Sequence, residues 1–274
     1  MALTNFIPTV WSESLYSELD KKYIAVRNCN RDFEGDIRAK GNTVKICGVG
    51  DISVFDYTRN TDMSSPETLS DSVRTLTIDQ AKGFNFQIDD VDAAQQTPKV
   101  MQEAMRKAAS ALANAADNYV FGLYESADEN NVIVNDSATK DNIIDTIISA
   151  RTKLFANNVY DADDIVIEVT PEVAELILKA KISLSTDNGE ALEAGCIGSV
   201  CGTKIYVSNN VKKVDGHHKC LARTKRAIAF AQQLSEIDAY RPEKRFADAV
   251  KGLHLYGAKI VYPSELFVLD VTVA

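Results

Sequence analysis

The chain has 274 residues, 45% hydrophobic and 25% charged, so it can bury a sizeable core as one large domain or two and is neither disordered nor collagenous. No apolar run approaches the ~20 residues of a membrane helix, and the amino terminus, Met1-Ala-Leu-Thr-Asn-Phe-Ile-Pro8, lacks a basic leader ahead of a long apolar stretch, so neither a membrane span nor a secretory signal is expected. The net charge of −9 argues against tight binding of the whole chain to a phosphate backbone, where affinity comes mainly from Lys and Arg.

Trp11 to Lys22 reads as a short amphipathic helix, with Trp11, Leu15 and Leu19 on one face and Glu13, Glu18, Asp20 and Lys21 on the other. A helix this short is marginal alone, so its apolar stripe must find a surface, on its own domain or on a neighbouring subunit. From Arg38 to Gln87 the period drops to two. Val44 and Ile46 alternate with Thr43, Lys45 and Cys47, and Ile52 and Val54 continue the pattern. Leu76 and Ile78 alternate with Thr75 and Thr77, and Phe84, Phe86 and Ile88 with Asn85, Gln87 and Asp89. These are half-buried strands. Between them the polar, turn-rich stretch Asp56 to Asp71 reads as the tip of a long antiparallel excursion. A two-stranded ribbon is barely stable alone and its edges invite pairing, so it must lie either on another subunit or on its own domain.

The clearest helix follows. Thr97 can cap it, Pro98 suits its first position, and an alanine-rich run continues to about Ser126, a reach of roughly 40 Å. Its expected stripe is Met101, Met105, Ala108, Leu112, Ala115, Tyr119 and Leu123. Beyond it, Asp141 to Phe155 is helical with Ile143, Ile144, Ile147, Ile148 and Leu154 inward. Ile165 to Val169 is a buried strand, and Thr170-Pro-Glu-Val173 opens a helix ending near Lys181. Strands then follow at Lys204–Val207, Cys220–Arg223 and Ala227–Phe230, giving a sheet flanked by helices.

No catalytic arrangement emerges. Gly198-Ser-Val-Cys-Gly-Thr-Lys204 places Thr203 before Lys204 and runs into a strand, the reverse of a phosphate-binding loop, so its glycines are read as positive-φ turn residues. Ser199 sits in no nucleophile elbow. His217 and His218 follow Asp215-Gly216 and are expected as exposed turn residues. Asp89, Asp90 and Asp92, and Asp161, Asp163 and Asp164, lack calcium-loop spacing. Cys29, Cys47, Cys196, Cys201 and Cys220 lack zinc spacing and read as reduced, packed thiols. Catalytic, metal and cofactor-binding residues are all expected to be none.

Several segments, taken in order, resemble the tailed-bacteriophage major capsid protein family, with its Hong Kong 97-type fold. They are Ile7-Pro8 with the Trp11 helix, Arg31-Asp-Phe-Glu-Gly35, Gly41-Asn-Thr-Val-Lys-Ile46, the block Leu76 to Asp92, the helix Pro98 to Ser126, and Tyr240 to Val273. The resemblance implies an α+β fold with an amino-terminal arm (1–35) and an extended loop (36–88). A peripheral domain carrying the spine helix would take 89–136 and 240–274, and an axial domain 137–239. It further implies a non-enzymatic subunit, with no cofactor, that self-assembles through pentamers and hexamers into an icosahedral head. That head would enclose double-stranded DNA without sequence-specific binding and without a membrane. The partners implied are many copies of the chain, a separate scaffolding protein and a portal, with assembly in the bacterial host cytoplasm. The rival on the same fold is an encapsulin-type bacterial compartment shell. Trp11 in the arm, and Arg38, Tyr57 and Arg59 on the loop, are the candidate inter-subunit contacts.

Overall fold

The computed structural model of the chain describes residues 15, 17–34, 43–49, 56, 59–60, 62, 71–89, 99–159, 164–180, 196–200, 202–244 and 246–273. Residues 17–22 are helical, and Leu15 and Leu19, each 1% exposed, find their surface within their own chain.

Strands β1 (Thr43–Val49) and β2 (Asp71–Thr77) form the expected antiparallel ribbon, with Val49 opposite Asp71. Val44, Ile46, Leu76 and Ile78 are buried while Thr43 and Lys45 are exposed, as a period of two requires. Ile52 and Val54 lie outside the described residues. The base of the ribbon packs on its own domain: its four buried residues cluster with Ala229, Ala231, Leu255 and Val261. Gly257 permits that approach, because a Cβ there would stand 2.2 Å from the carbonyl oxygen of Thr77.

β3 (Gln80–Asp89) leaves the ribbon and becomes the edge of a three-stranded antiparallel sheet in the order β10–β11–β3. In that sheet β10 is Ile228–Tyr240, far longer than the Ala227–Phe230 strand read from sequence, and β11 is Ala247–Ile260. Crossing it is α1 (Lys99–Gly122), about 36 Å long at 1.5 Å per residue, continued by a 3₁₀ turn over Leu123–Ser126. Thr97 and Pro98 lie outside the described residues. The face of α1 differs from the expected stripe. Met105, Ala109, Leu112, Ala113, Ala116, Val120 and Phe121 are buried, whereas Ala108, Ala115, Tyr119 and Leu123 are only half-buried. Alanines occur on both sides of the helix and carry too little apolar surface to choose one, so the larger Val120 and Phe121 set the rotation.

The remaining strands build a seven-stranded mixed sheet in the order β4–β12–β9–β5–β7–β6, with β8 paired to β9. These are β4 (Val132–Ala138), β5 (Ile165–Val169), β6 (Cys196–Val200), β7 (Thr203–Val207), β8 (Lys213–Val214), β9 (His217–Thr224) and β12 (Leu266–Val273). Helices α2 (Ile143–Ala156) and α3 (Pro171–Lys179) pack with it. The α3 start is as expected: Thr170 Oγ1 accepts from the Val173 N–H at 3.4 Å and Pro171 fills the first turn. In α2 the buried face is Ile143, Thr146, Ile147, Ala150 and Leu154, and Ile148, expected inward, is 40% exposed. β4 and β12 pair with each other in parallel, and β12 joins them to the rest of the sheet through its antiparallel pairing with β9.

Candidate functional site

Chemistry-bearing side chains are locked into structure. His218, expected at an exposed turn, is the second residue of β9 and 1% exposed. The turn itself is Asp215-Gly216, both at positive φ, and it ends one residue earlier than the pair requires for exposure. His218 Nδ1 lies 2.8 Å from Thr170 Oγ1 and 3.9 Å from Glu172 Oε2. Both partners share one ring nitrogen, and the hydroxyl also caps α3, so this trio cannot relay a proton to a nucleophile. His217 lies 3.1 Å from Asp270 Oδ1 and 3.1 Å from Thr272 Oγ1, and Asp270 accepts from Lys219 at 2.7 Å. Burial pushes the Cys29 and Cys220 thiols up to about 12, away from the thiolate form a nucleophile needs. Gly202 takes a positive φ where β6 turns into β7, and Gly198 takes one inside β6, beside an irregularity in its pairing with β7, so these glycines serve a strand-to-strand connection. Among the described residues, no group of three or more His, Cys, Asp or Glu side chains is placed to hold a metal.

The densest polar construction is structural. A strap, residues 23–30, runs between α1 and both sheets. Asp117 of α1 accepts from the Ile24 and Val26 N–H groups at 3.0 and 3.1 Å. Arg223 of β9 makes a bidentate pair with Glu168 of β5, at 3.1 and 2.9 Å, and donates to the carbonyls of Asn28 (2.5 Å) and Ala25 (3.0 Å). Glu168 also accepts from Asn28 Nδ2 at 3.2 Å. The Tyr23 hydroxyl donates to Gln232 Oε1 of β10 at 2.6 Å, and Asn30 exchanges backbone bonds with Ile228 and Phe230.

His254 faces the same Gln232 oxygen at 3.0 Å and is 1% exposed. Burial without a compensating charge pulls it down to about 4. An unfolded histidine titrates near 6.5, so between these values the unfolded chain binds the extra proton. Stability is therefore complete above about pH 6.5 and declines as pH falls toward 4, by about 3 kcal/mol from this group. Urea unfolding of His254→Gln, which keeps a donor toward Gln232, should lose about 3 kcal/mol less than the wild type between pH 7 and pH 4.

The surfaces left open are apolar in places. On the outward face of the three-stranded sheet, the ribbon covers Ala229, Ala231 and Leu255. Further along, Tyr240 (37% exposed) and Leu253 (40%) stay open, beside a cavity of about 220 Å³ lined by Asp238, Lys251, Gly252 and Leu253. Phe246, in the β10–β11 turn, is 83% exposed. Burying such a ring is worth about 2 kcal/mol, none of which the isolated subunit gains. The sequence reading did not single out Phe246; its place between Lys244 and Ala247, outside any periodic run, was the available signal. Of the residues it did single out, Arg59 is exposed at a turn beside Asn60, whose φ is 62°. Trp11, Arg38 and Tyr57 lie outside the described residues.

Comparison with known proteins gives these surfaces a context. The sequence profile of a family described as phage capsid protein matches residues 73–268. No curated protein matches the chain. Among solved structures, one from Mycobacterium phage Che8 is 29% identical over 90% of each chain, with a TM-score of 0.69. The capsid of Ralstonia phage GP4 is 10% identical with a TM-score of 0.72, covering 93% of this chain and 90% of that one. A virus-like particle from Pyrococcus furiosus is 13% identical with a TM-score of 0.60, over 96% and 99%.

Proposed function

The chain belongs to the phage capsid protein family, and we propose from that premise that its open surfaces are what it works with: the exposed end of the three-stranded sheet meets a neighbouring copy in the shell. The family match over residues 73–268 carries the reading. A capsid subunit is a structural protein built into a shell from many copies, and the fold matches capsids from several phages. The finer reading is a subunit assembled through pentamers and hexamers in the host cytoplasm, with a separate scaffolding protein and a portal as partners and no enzymatic activity. The net charge of −9 supports DNA enclosed without tight or sequence-specific binding. The domain division, and the arm and loop contacts Trp11, Arg38, Tyr57 and Arg59, belong to the same proposal.

The mechanism is multivalency. Interfaces that are each modest, repeated around closed rings, give a shell by mass action. The virus-like particle from Pyrococcus furiosus shares the fold alone, so an encapsulin-type compartment stands behind the virion reading. Electron microscopy of the purified protein should show closed particles of uniform diameter. Phe246→Asp, which buries a charge in the proposed contact, should yield folded subunits and at least tenfold fewer particles. Undiminished particle yield would remove this face from the assembly surface, and a co-purifying protein cargo would favour the compartment.

A further inference from the structure

Helix α2 carries two parallel stripes, and its own chain covers only one of them. Ile143, Ile147, Ala150 and Leu154 recur at steps of four, three and four residues and are buried in the core under the seven-stranded sheet. One position further on, Ile144, Ile148, Arg151 and Phe155 repeat the same steps. The second stripe is turned about 100° from the first, too far round the helix to share its cover. Ile144, Arg151 and Phe155 are accordingly half-buried, and Ile148 is 40% exposed. Side chains at this spacing are the anchors by which a helix meets a partner.

Arg151, in the middle of the outer stripe, shows what kind of partner. Its guanidinium lies over the Phe155 ring, 4.6 Å from the centroid. Its Nε is closed off from solvent and meets no acceptor, and no carboxylate pairs with it among the described residues. A buried donor left unmet is costly, and a carboxylate is the acceptor that also matches its charge. The stripe itself holds no acid. Set against the same stripe of a second copy, it would leave both guanidinium groups unmatched, so its counterpart is a different surface. Helix α3 offers one. Its buried face is Val173, Ala174 and Ile177, while the opposite face carries Glu175 and, three residues on, Leu178, 57% exposed. Glu175 pairs with Lys179 in the next turn, but both side chains stand in solvent, so that pair is weak and readily exchanged.

We propose that the outer stripe of α2 docks on α3 of a second copy of this chain, with Arg151 meeting Glu175 and Ile148 meeting Leu178. The contact rests on the shell reading above and is separate from the Phe246 face. It matches apolar to apolar and cation to anion, and it gives the Arg151 guanidinium the carboxylate that its own chain does not supply. Because the two surfaces differ, the contact runs head to tail from copy to copy, which is the kind that closes into rings.

Exchanging the charges tests it, with closed particles of the full-length chain counted by electron microscopy. Arg151→Glu and Glu175→Arg, each alone, set like charges face to face and should lower the particle yield roughly tenfold or more. The double exchange should return the yield to within about threefold of the wild type. A single variant that assembles as well as the wild type, or a double variant no better than the singles, overturns the contact and leaves the shell reading standing. A wild type that forms no closed particles overturns the shell reading and this contact with it. Should Arg151→Glu not fold, Glu175→Arg decides alone, since its side chain is exposed and its thermal unfolding should match the wild type. Lost particles from that folded variant support the contact, and an undiminished yield overturns it.

Discussion

Joining Val49 to Asp71 through an Asn-Gly turn, in place of residues 50–70, is expected to abolish closed shells while leaving the subunit folded. Val49 and Asp71 face each other across the ribbon, so two residues close the hairpin without disturbing its register. The base keeps its own apolar cluster, Val44, Ile46, Leu76 and Ile78 against the three-stranded sheet. The described residues of the excised stretch, Asp56, Arg59, Asn60 and Asp62, are all exposed, so the subunit loses none of the buried surface described here. A shell loses more, because a contact removed once per subunit is removed at every position of every ring. Each 1.4 kcal/mol lost per contact weakens that contact tenfold, and multivalency compounds the loss. Thermal unfolding should move by no more than a few degrees and electron microscopy should show no closed particles. Intact shells would show that the loop's distal half is dispensable.

The second large effect is on the fold. Arg223→Ala should destabilise the subunit by about 3–5 kcal/mol in urea unfolding, because it strands the Glu168 carboxylate in the core and leaves the Ala25 and Asn28 carbonyls unpaired. Replacing both partners, Arg223→Met with Glu168→Leu, should recover part of that loss by removing the uncompensated charge. The recovery is bounded, since the strap carbonyls still lack their donor. A single variant as stable as the wild type would mean that the pair contributes nothing to holding the strap.

The strands of the ribbon, the capped start of α3 and the glycine turn before β7 were legible because each depends on residues within a few positions of one another. Val44 and Ile46 announce a buried face by alternation, and Thr170-Pro171 announces a helix start by its own hydrogen bond and fixed φ. Where that locality fails, so does the reading. The rotation of α1 could not be taken from an alanine-rich stripe. Ile148 carries the right residue type for a core position but falls off the face that α2 presents to β12 and β9. His218 looked like a turn residue because Asp215-Gly216 precedes it, yet strand pleating turns it into the interior against Thr170, 48 positions away. The open apolar surface was equally hidden, since exposure of Phe246 depends on what the rest of the chain leaves uncovered.

By itself the sequence determined the α+β class, the order of the elements, the turns and the likeness to phage capsid proteins, all of which rest on local periodicity, backbone preference and motif order. Only the tertiary structure decided where the ribbon seats, which side of α1 is buried, and that Asp117, Glu168 and Arg223 share one dry site. Those outcomes join residues as far apart as Ala25 and Arg223, 198 positions along the chain. A charge is stabilised or stranded by whatever lies within a few ångströms, and distance along the chain carries no record of that.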